Sequence, residues 1–186
     1  MNIIPTQFPQ VLLLEPKVFK DHRGCFMELY SEARYREAGI TENFVQDNLS
    51  VSVKNVVRGL HYQLNKPQGK LVSVLSGKAF DVVVDIRHGS PHFGKWLGFE
   101  LSGESGHQVY VPPGFAHGYC ALSDKVIFHY QCTDYYQPGD EYAVLWSDAD
   151  LGITWQQQGE ALLSPKDGAA PLLKDIPPGK LPVYQP

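Results

Sequence analysis

Two short segments carry the residue types from which chemistry is made. The first runs Val57-Arg58-Gly59-Leu60-His61-Tyr62-Gln63 and continues to Pro67-Gln68-Gly69-Lys70; the second is Val111-Pro112-Pro113-Gly114-Phe115-Ala116-His117-Gly118. Each holds one histidine. An imidazole, with an ordinary pKa of roughly 6.5, can move a proton at neutral pH or ligate a metal. Other familiar chemistry has no support: there is no G-x-x-x-x-G-K-[ST] loop, no G-x-G-x-x-G turn, no G-x-S-x-G elbow and no C-x-x-C pair.

The elements that must position these residues are short strands. Apolar or alternating runs with turn residues between them predict strands near 10–15, 24–30, 44–53, 56–62, 71–76, 79–87, 96–102, 107–112, 118–122, 125–136 and 142–146. One helix is expected at Ser31 to Glu37, capped by Ser31 and stopped by Gly39. In Val45 to Val53, Gln46, Asn48, Ser50 and Ser52 share one face, opposite Val45, Leu49, Val51 and Val53, with Asp47 as the one polar exception there. That polar row is either a solvent face, the commoner case, or the lining of a polar cavity. In Phe80 to Arg87, Asp81, Val83, Asp85 and Arg87 oppose Phe80, Val82, Val84 and Ile86. Many alternating strands with glycine turns imply a sandwich or barrel, a jelly roll being one such solution.

Bulk properties set the frame. A chain of 186 residues suits one domain, 1–186, with Gln156 to Pro186 expected to wrap the body as a tail. A formal net charge of -4 argues against a nucleic-acid-coating surface but leaves room for a local phosphate pocket. No stretch approaches the ~20 apolar residues needed to span a bilayer, so no membrane association is expected. The run Val11 to Leu14 stops at Glu15 with no basic residue before it, unlike a signal peptide. Cys25, Cys120 and Cys132 read as reduced, mostly buried residues of a cytoplasmic protein.

The spacing Pro112-x-Gly114-x-x-His117 resembles the P-x-G-x-x-H signature of cupins, small jelly rolls that often hold a metal inside the barrel. In metal-binding cupins the earlier segment supplies His-x-His and then Glu. Here Gln63 stands where the second His belongs, and Pro67 and Gln68 stand where the Glu should be. An amide is a poor ligand and proline is none, so the cavity is expected to hold no metal and its histidines to move protons.

A more specific resemblance covers about Asp21 to Leu173. Asp21-His22-Arg23-Gly24, Gln46-Asp47-Asn48-Leu49-Ser50, Arg58 to Gln63, Lys70-Leu71-Val72, Asp81 to Arg87, Gly114 to Gly118, Tyr135-Tyr136, Leu163 to Asp167 and Ala170 to Leu173 are similar, in order and spacing, to the dTDP-4-dehydrorhamnose 3,5-epimerase family. The resemblance implies an all-β cupin-type double-stranded β-helix, or jelly roll, with a few short helices. It also implies a homodimer that acts without cofactor on a dTDP-linked 4-keto-6-deoxysugar. The reaction would invert C3 and C5 of dTDP-4-dehydro-6-deoxy-D-glucose to give dTDP-4-dehydro-L-rhamnose. His61 would be the general base, Asp167 its carboxylate partner, Tyr130 the general acid, and Lys70 the cation facing the ketone oxygen. Arg23, Glu28, Gln46, Asn48, Arg58, His117, Glu141 and Lys166 would hold the nucleotide and sugar, with Tyr136 stacking on thymine.

These residue types suit the reaction. An enolate's charge must be met where it develops, which Lys70 can do, and a buried carboxylate fixes the tautomer of a basic imidazole. Alternation from Lys125 to Cys132 puts Tyr130 on a face with Val126, Phe128 and Cys132, as a barrel-interior residue would lie. Arg58 and His61 have opposite parity, so if both reach the pocket the strand should bulge near Gly59. Three rivals stand beside this reading. A sibling enzyme would invert only C3 or only C5; a sugar-nucleotide-binding cupin would need no matched base and acid; a metal-dependent cupin oxygenase or isomerase is disfavoured by Gln63 and Pro67.

Overall fold

The computed structural model describes residues 1–185. Six strands form one antiparallel sheet in the order β1 (Asn2–Ile4), β2 (Leu12–Glu15), β10 (Gln108–Val111), β7 (Lys70–Ser76), β12 (Lys125–Cys132) and β5 (Gln46–Val53). Five form a second: β13 (Glu141–Ala143), β6 (Val57–Gln63), β11 (Phe115–Ala121), β8 (Lys78–Asp85) and β9 (Trp96–Ser102). Strands β3 (Val18–Asp21) and β4 (Gly24–Met27) pair separately as a ribbon. The two sheets make the cupin jelly roll expected from the sequence.

Three apolar clusters hold it. Between the sheets lie Val72, Val74, Val83, Leu101, Phe115, Tyr119, Val126 and Phe128. The outer face of the five-stranded sheet, including Val82, Val84, Ile86, Ala116 and Cys120, is covered by Leu151, Trp155, Leu173, Ile176 and Leu181 from the C-terminal part of the chain. That double cover explains why every residue of β11 is buried and why β8 reads as a nearly continuous apolar run. A third cluster packs Tyr35 of α1 (Glu32–Glu37) and Ile40 onto Leu14, Leu71 and Tyr110.

Helix α1 falls where the sequence puts it, but for another reason. Ser31 occupies the cap position without a side-chain cap bond. A cap contributes about 1 kcal/mol, whereas burying a large side chain contributes about 1.5–3 kcal/mol. Tyr35 is 2% exposed, and its hydroxyl donates to Leu29 O and bonds Gln108. Packing anchors this helix.

Strand β5 resolves the ambiguity of the polar row in favour of the less common case. Gln46, Asn48, Ser50 and Ser52 face inward, while Leu49, Val51 and Val53 are 54–59% exposed at the sheet's edge. Strands β1 and β3 were not expected, and both are short and largely exposed, with no alternation to reveal them. Strand β12 ends at Cys132, four residues before the expected limit, and β8 ends at Asp85. Cys25, expected among mostly buried cysteines, is exposed because β4 lies on the projecting ribbon; Cys120 and Cys132 are buried. Among the described residues no helix is long and apolar enough to cross a membrane.

The pairing of β6 with β11 carries the expected irregularity. His117 lies opposite His61 and Tyr119 opposite Arg58, so three steps along β6 match two along β11. The extra residue falls at Gly59 and Leu60. Gly59 has φ +119°, and a Cβ there would lie 2.5 Å from Gly118 Cα and 2.8 Å from His117 O. Only glycine fits, and the shift brings Arg58 and His61 to the same side.

Candidate active site

A cavity of about 310 Å³, small for a ligand site, is lined by Arg58 and His61 of β6, Lys70 of β7, His117 of β11, Tyr130 of β12, Glu141 of β13, and Lys166 and Asp167 of α2 (Pro165–Gly168). Ser50, Tyr119, Phe128 and Ser164 complete much of the wall. Inward parity on β5 and β12 supplies Ser50 and Tyr130; the irregularity on β6 supplies Arg58 with His61.

His61 Nε2 lies 2.5 Å from Asp167 Oδ1. An ionised carboxylate only accepts, so Nε2 carries the proton and Nδ1 keeps the lone pair. Nδ1 lies 3.9 Å from Glu141 Oε1. Asp167 is 3% exposed. Burial pushes its carboxyl up, but bonds from His61, from Ser164 Oγ at 2.9 Å and from the Gly59 backbone outweigh this and hold it below the usual value. Ser164 also caps α2, accepting from Asp167 N at 3.1 Å. A four-residue helix thus exists to present one carboxylate.

Burial pushes the Lys70 ammonium below its usual range, opposed by Cys132, Glu141 and Asp81. Among the described residues it makes no ion pair, which leaves its charge for a ligand. Burial pushes Tyr130 up to about 12, so the phenol stays protonated and has a proton to give at neutral pH. His117 Nε2 bonds Asp81 Oδ2 at 2.7 Å, with both residues buried. At one end of the cavity Glu141 pairs with Lys166 and accepts from the Tyr136 hydroxyl at 3.4 Å, while Tyr136 N donates to Gln46 Oε1. Gln46 Nε2 in turn donates to Asn48 Oδ1 at 3.1 Å.

Five expected ligand-binding residues do not line the cavity in this chain: Gln46, Asn48 and Tyr136 stand beyond Glu141, linked to it by hydrogen bonds, and Arg23 and Glu28 lie farther off. Arg23 pairs with Asp21 on the β3–β4 ribbon, and Glu28 pairs with Arg34 beside it, all exposed. Larger depressions along that ribbon contain them but gather no comparable set of groups. Gln63 spends its amide on backbone, donating to Lys66 O and Tyr135 O and accepting from Gln137 N. Among the described residues no three His, Cys, Asp or Glu side chains are grouped to hold a metal.

The sequence did not single out Tyr119, Phe128, Ser164 or Asp81 as site residues, and it offered Ser50 only as one member of the polar row on β5. Ser164-Pro165-Lys166-Asp167 carried a signal, a serine followed three residues later by an acid with proline at the first helical position. Asp81 carried another, a carboxylate in an apolar run on the inward face.

The fold is that of a cupin, and its interior presents a carboxylate-backed imidazole, a protonated phenol and a lysine with no ion pair among the described residues, a set able to move protons. The family model for dTDP-4-dehydrorhamnose 3,5-epimerase matches residues 5–175. The chain belongs to that family. It is 52% identical over 169 residues to the dTDP-4-dehydrorhamnose 3,5-epimerase of Shigella flexneri, covering 90% of this chain and 93% of that one. It is 51% identical to the Neisseria gonorrhoeae enzyme of that name across 90% of its own residues, and spans about half of that relative's length (51%). The crystal structure of the dTDP-6-deoxy-D-glucose-3,5-epimerase of Legionella pneumophila Philadelphia 1, in complex with dTDP-4-keto-L-rhamnose, superposes with a TM-score of 0.97 at 52% identity, covering 100% of this chain and 99% of that one.

The lowered Asp167 value fixes a sign. A carboxyl held below its unfolded value adds stability in full above the ordinary carboxylate range, and that stability is lost as pH falls through the folded-state value. Asp167→Asn is therefore expected to be less stable than wild type at pH 7, by roughly 1–3 kcal/mol, with the gap narrowing below about pH 4. Urea unfolding of both proteins across that range checks this; a gap independent of pH contradicts it.

Proposed function

We propose that the protein inverts C3 and C5 of dTDP-4-dehydro-6-deoxy-D-glucose, giving dTDP-4-dehydro-L-rhamnose. The observation that carries this reading is the His61–Asp167 pair opening on the same cavity as Tyr130 and Lys70. His61 Nδ1 takes the proton from the carbon beside the ketone. The electron pair moves into an enolate, whose oxygen faces Lys70. Tyr130 then gives its proton to the same carbon from the opposite face, and solvent restores both groups. Each inversion exchanges one proton for another and consumes no cofactor. In the D-gluco ring the hydrogens on C3 and C5 are both axial and on one face, so one base below and one acid above serve both carbons in turn. Arg58, His117, Glu141, Lys166, Gln46 and Asn48 hold the sugar nucleotide, with Tyr136 stacking on the base.

We also propose a homodimer that completes the site. Its support is an edge strand, β5, with an exposed apolar outer row, and a projecting ribbon with Phe19 and Phe26 at 52% and 71% exposure. Arg23 and Glu28 sit on and beside that ribbon, and in the dimer they reach the partner's cavity. Sedimentation is expected to give a dimer; a fully active monomer at assay concentration contradicts this.

The function is tested in heavy water with dTDP-4-dehydro-6-deoxyglucose. Wild type is expected to place deuterium at both C3 and C5, read by mass spectrometry and proton NMR. His61→Asn is expected to lower exchange at both by roughly 10²–10⁴-fold. Persistent exchange in that variant removes the proposed base, and exchange at one carbon in wild type moves the assignment to a single-inversion enzyme.

A further inference from the structure

Three hydroxyls that the mechanism leaves unused form a chain with Arg58. Arg58 Nε lies 3.2 Å from Ser52 Oγ, Ser52 Oγ lies 2.9 Å from the Tyr119 hydroxyl, and that hydroxyl lies 2.8 Å from Ser50 Oγ. The donor inventory decides which way each bond runs. A guanidinium nitrogen only donates, so Ser52 accepts from Arg58. Ser52 is 3% exposed, and among the described residues the Tyr119 oxygen is the one acceptor its own proton meets. Ser52 therefore donates to Tyr119. The single Tyr119 proton then goes to Ser50, since the opposite direction would leave the buried Ser52 proton unpaired. Ser50 accepts inside the chain, which sends its own proton outward, and Ser50 lines the cavity.

Strand register says what this donor faces. On the β5–β12 ladder Gln46 is opposite Cys132, Asn48 opposite Tyr130 and Ser50 opposite Phe128; on the β6–β11 ladder His61 is opposite His117 and Arg58 opposite Tyr119. Ser50 and Arg58 thus lie one step beyond the level of His61, His117 and Tyr130. They are on the side away from Gln46, Tyr136 and Glu141. The proposed reading puts the nucleobase at Tyr136, at that latter end, and the hexose among His61, Lys70 and Tyr130, the last of these one step from Ser50. The Tyr119 ring is stacked on Phe128 with centroids 4.0 Å apart and planes at 4°, which holds its hydroxyl in place.

We propose that Ser50 is a further ligand-binding residue whose hydroxyl, aimed by the Arg58–Ser52–Tyr119 chain, donates to an oxygen of the hexose. Ser52 and Tyr119 are positioning residues that act through it. The inference rests on the sugar-nucleotide reading of this cavity and adds to it a contact on the sugar that the nucleotide does not share.

The test compares two ligands. Ser50→Ala is expected to raise KM for dTDP-4-dehydro-6-deoxyglucose roughly fivefold to tenfold, the loss of one neutral hydrogen bond. Its Kd for dTDP by calorimetry should stay at the wild-type value. Ser50→Thr, which keeps the hydroxyl, should restore most of the loss. Tyr119→Phe keeps the stacked ring and loses the relayed proton; it should shift KM in the same direction by less, and the double variant should be no worse than Ser50→Ala alone. A merely structural role would lower Tm and weaken both ligands together. Wild-type KM in Ser50→Ala, or equal weakening of both ligands, overturns the inference while wild type still binds dTDP and turns over the sugar. A wild-type protein that does neither removes the underlying reading and this one with it.

Discussion

Strands β6 and β11 approach each other so closely at Gly59 and Gly118 that neither position has room for a side chain. Everything at the site depends on that contact. A regular β6 would send Arg58 and His61 to opposite faces, because side chains alternate along a strand. The shifted register places both on the cavity side, with His61 across from His117. Asp167 is then brought to His61 from more than a hundred residues away in sequence by a short helix whose first turn is tied by Ser164. The Gly59 backbone also bears on the Asp167 carboxylate, so one stretch of chain helps place both members of the pair.

The cavity inverts the usual disposition of a surface strand. On β5 the polar residues point inward and the apolar ones outward, so that wall of the interior offers hydrogen-bonding groups in place of apolar surface. Around that wet lining the fold keeps a dry support. Phe128 packs flat against Tyr119, and Val72, Val83 and Val126 close the space beneath. Burial there raises the Tyr130 phenol, already protonated at neutral pH, to about 12 and lowers the Lys70 ammonium, so packing tunes the two groups in opposite directions.

Much of this arrangement was legible in the sequence. Alternation located β5 and β12, the inward parity of Tyr130, and, through the opposite parity of Arg58 and His61, the irregularity at Gly59. What alternation could not tell was which row of β5 faces inside, since that depends on what the opposite sheet presents. It was also silent on β1 and β3, which are too short and too exposed to show a period. The carboxylate partner of His117 was hidden because Asp81 sits on a strand remote from it in sequence, joined only by the β8–β11 pairing. The Arg58–Ser52–Tyr119–Ser50 chain crosses three strands and could be assembled only in three dimensions. Arg23 is the opposite case: its motif was visible, but a single chain holds it, like Glu28, away from the cavity.

The central claim is that removal and delivery of the proton belong to two different groups, His61 and Tyr130, on opposite faces of the sugar. Tyr130→Phe separates them most directly. In heavy water the variant keeps its base and loses its acid, so His61 can remove a proton and return a deuteron to the same face. The recovered sugar nucleotide should therefore carry deuterium with its configuration retained, while inversion falls by roughly 10²-fold or more. Inversion at the wild-type rate in this variant would contradict the account, because the proton on the upper face would then come from some other group.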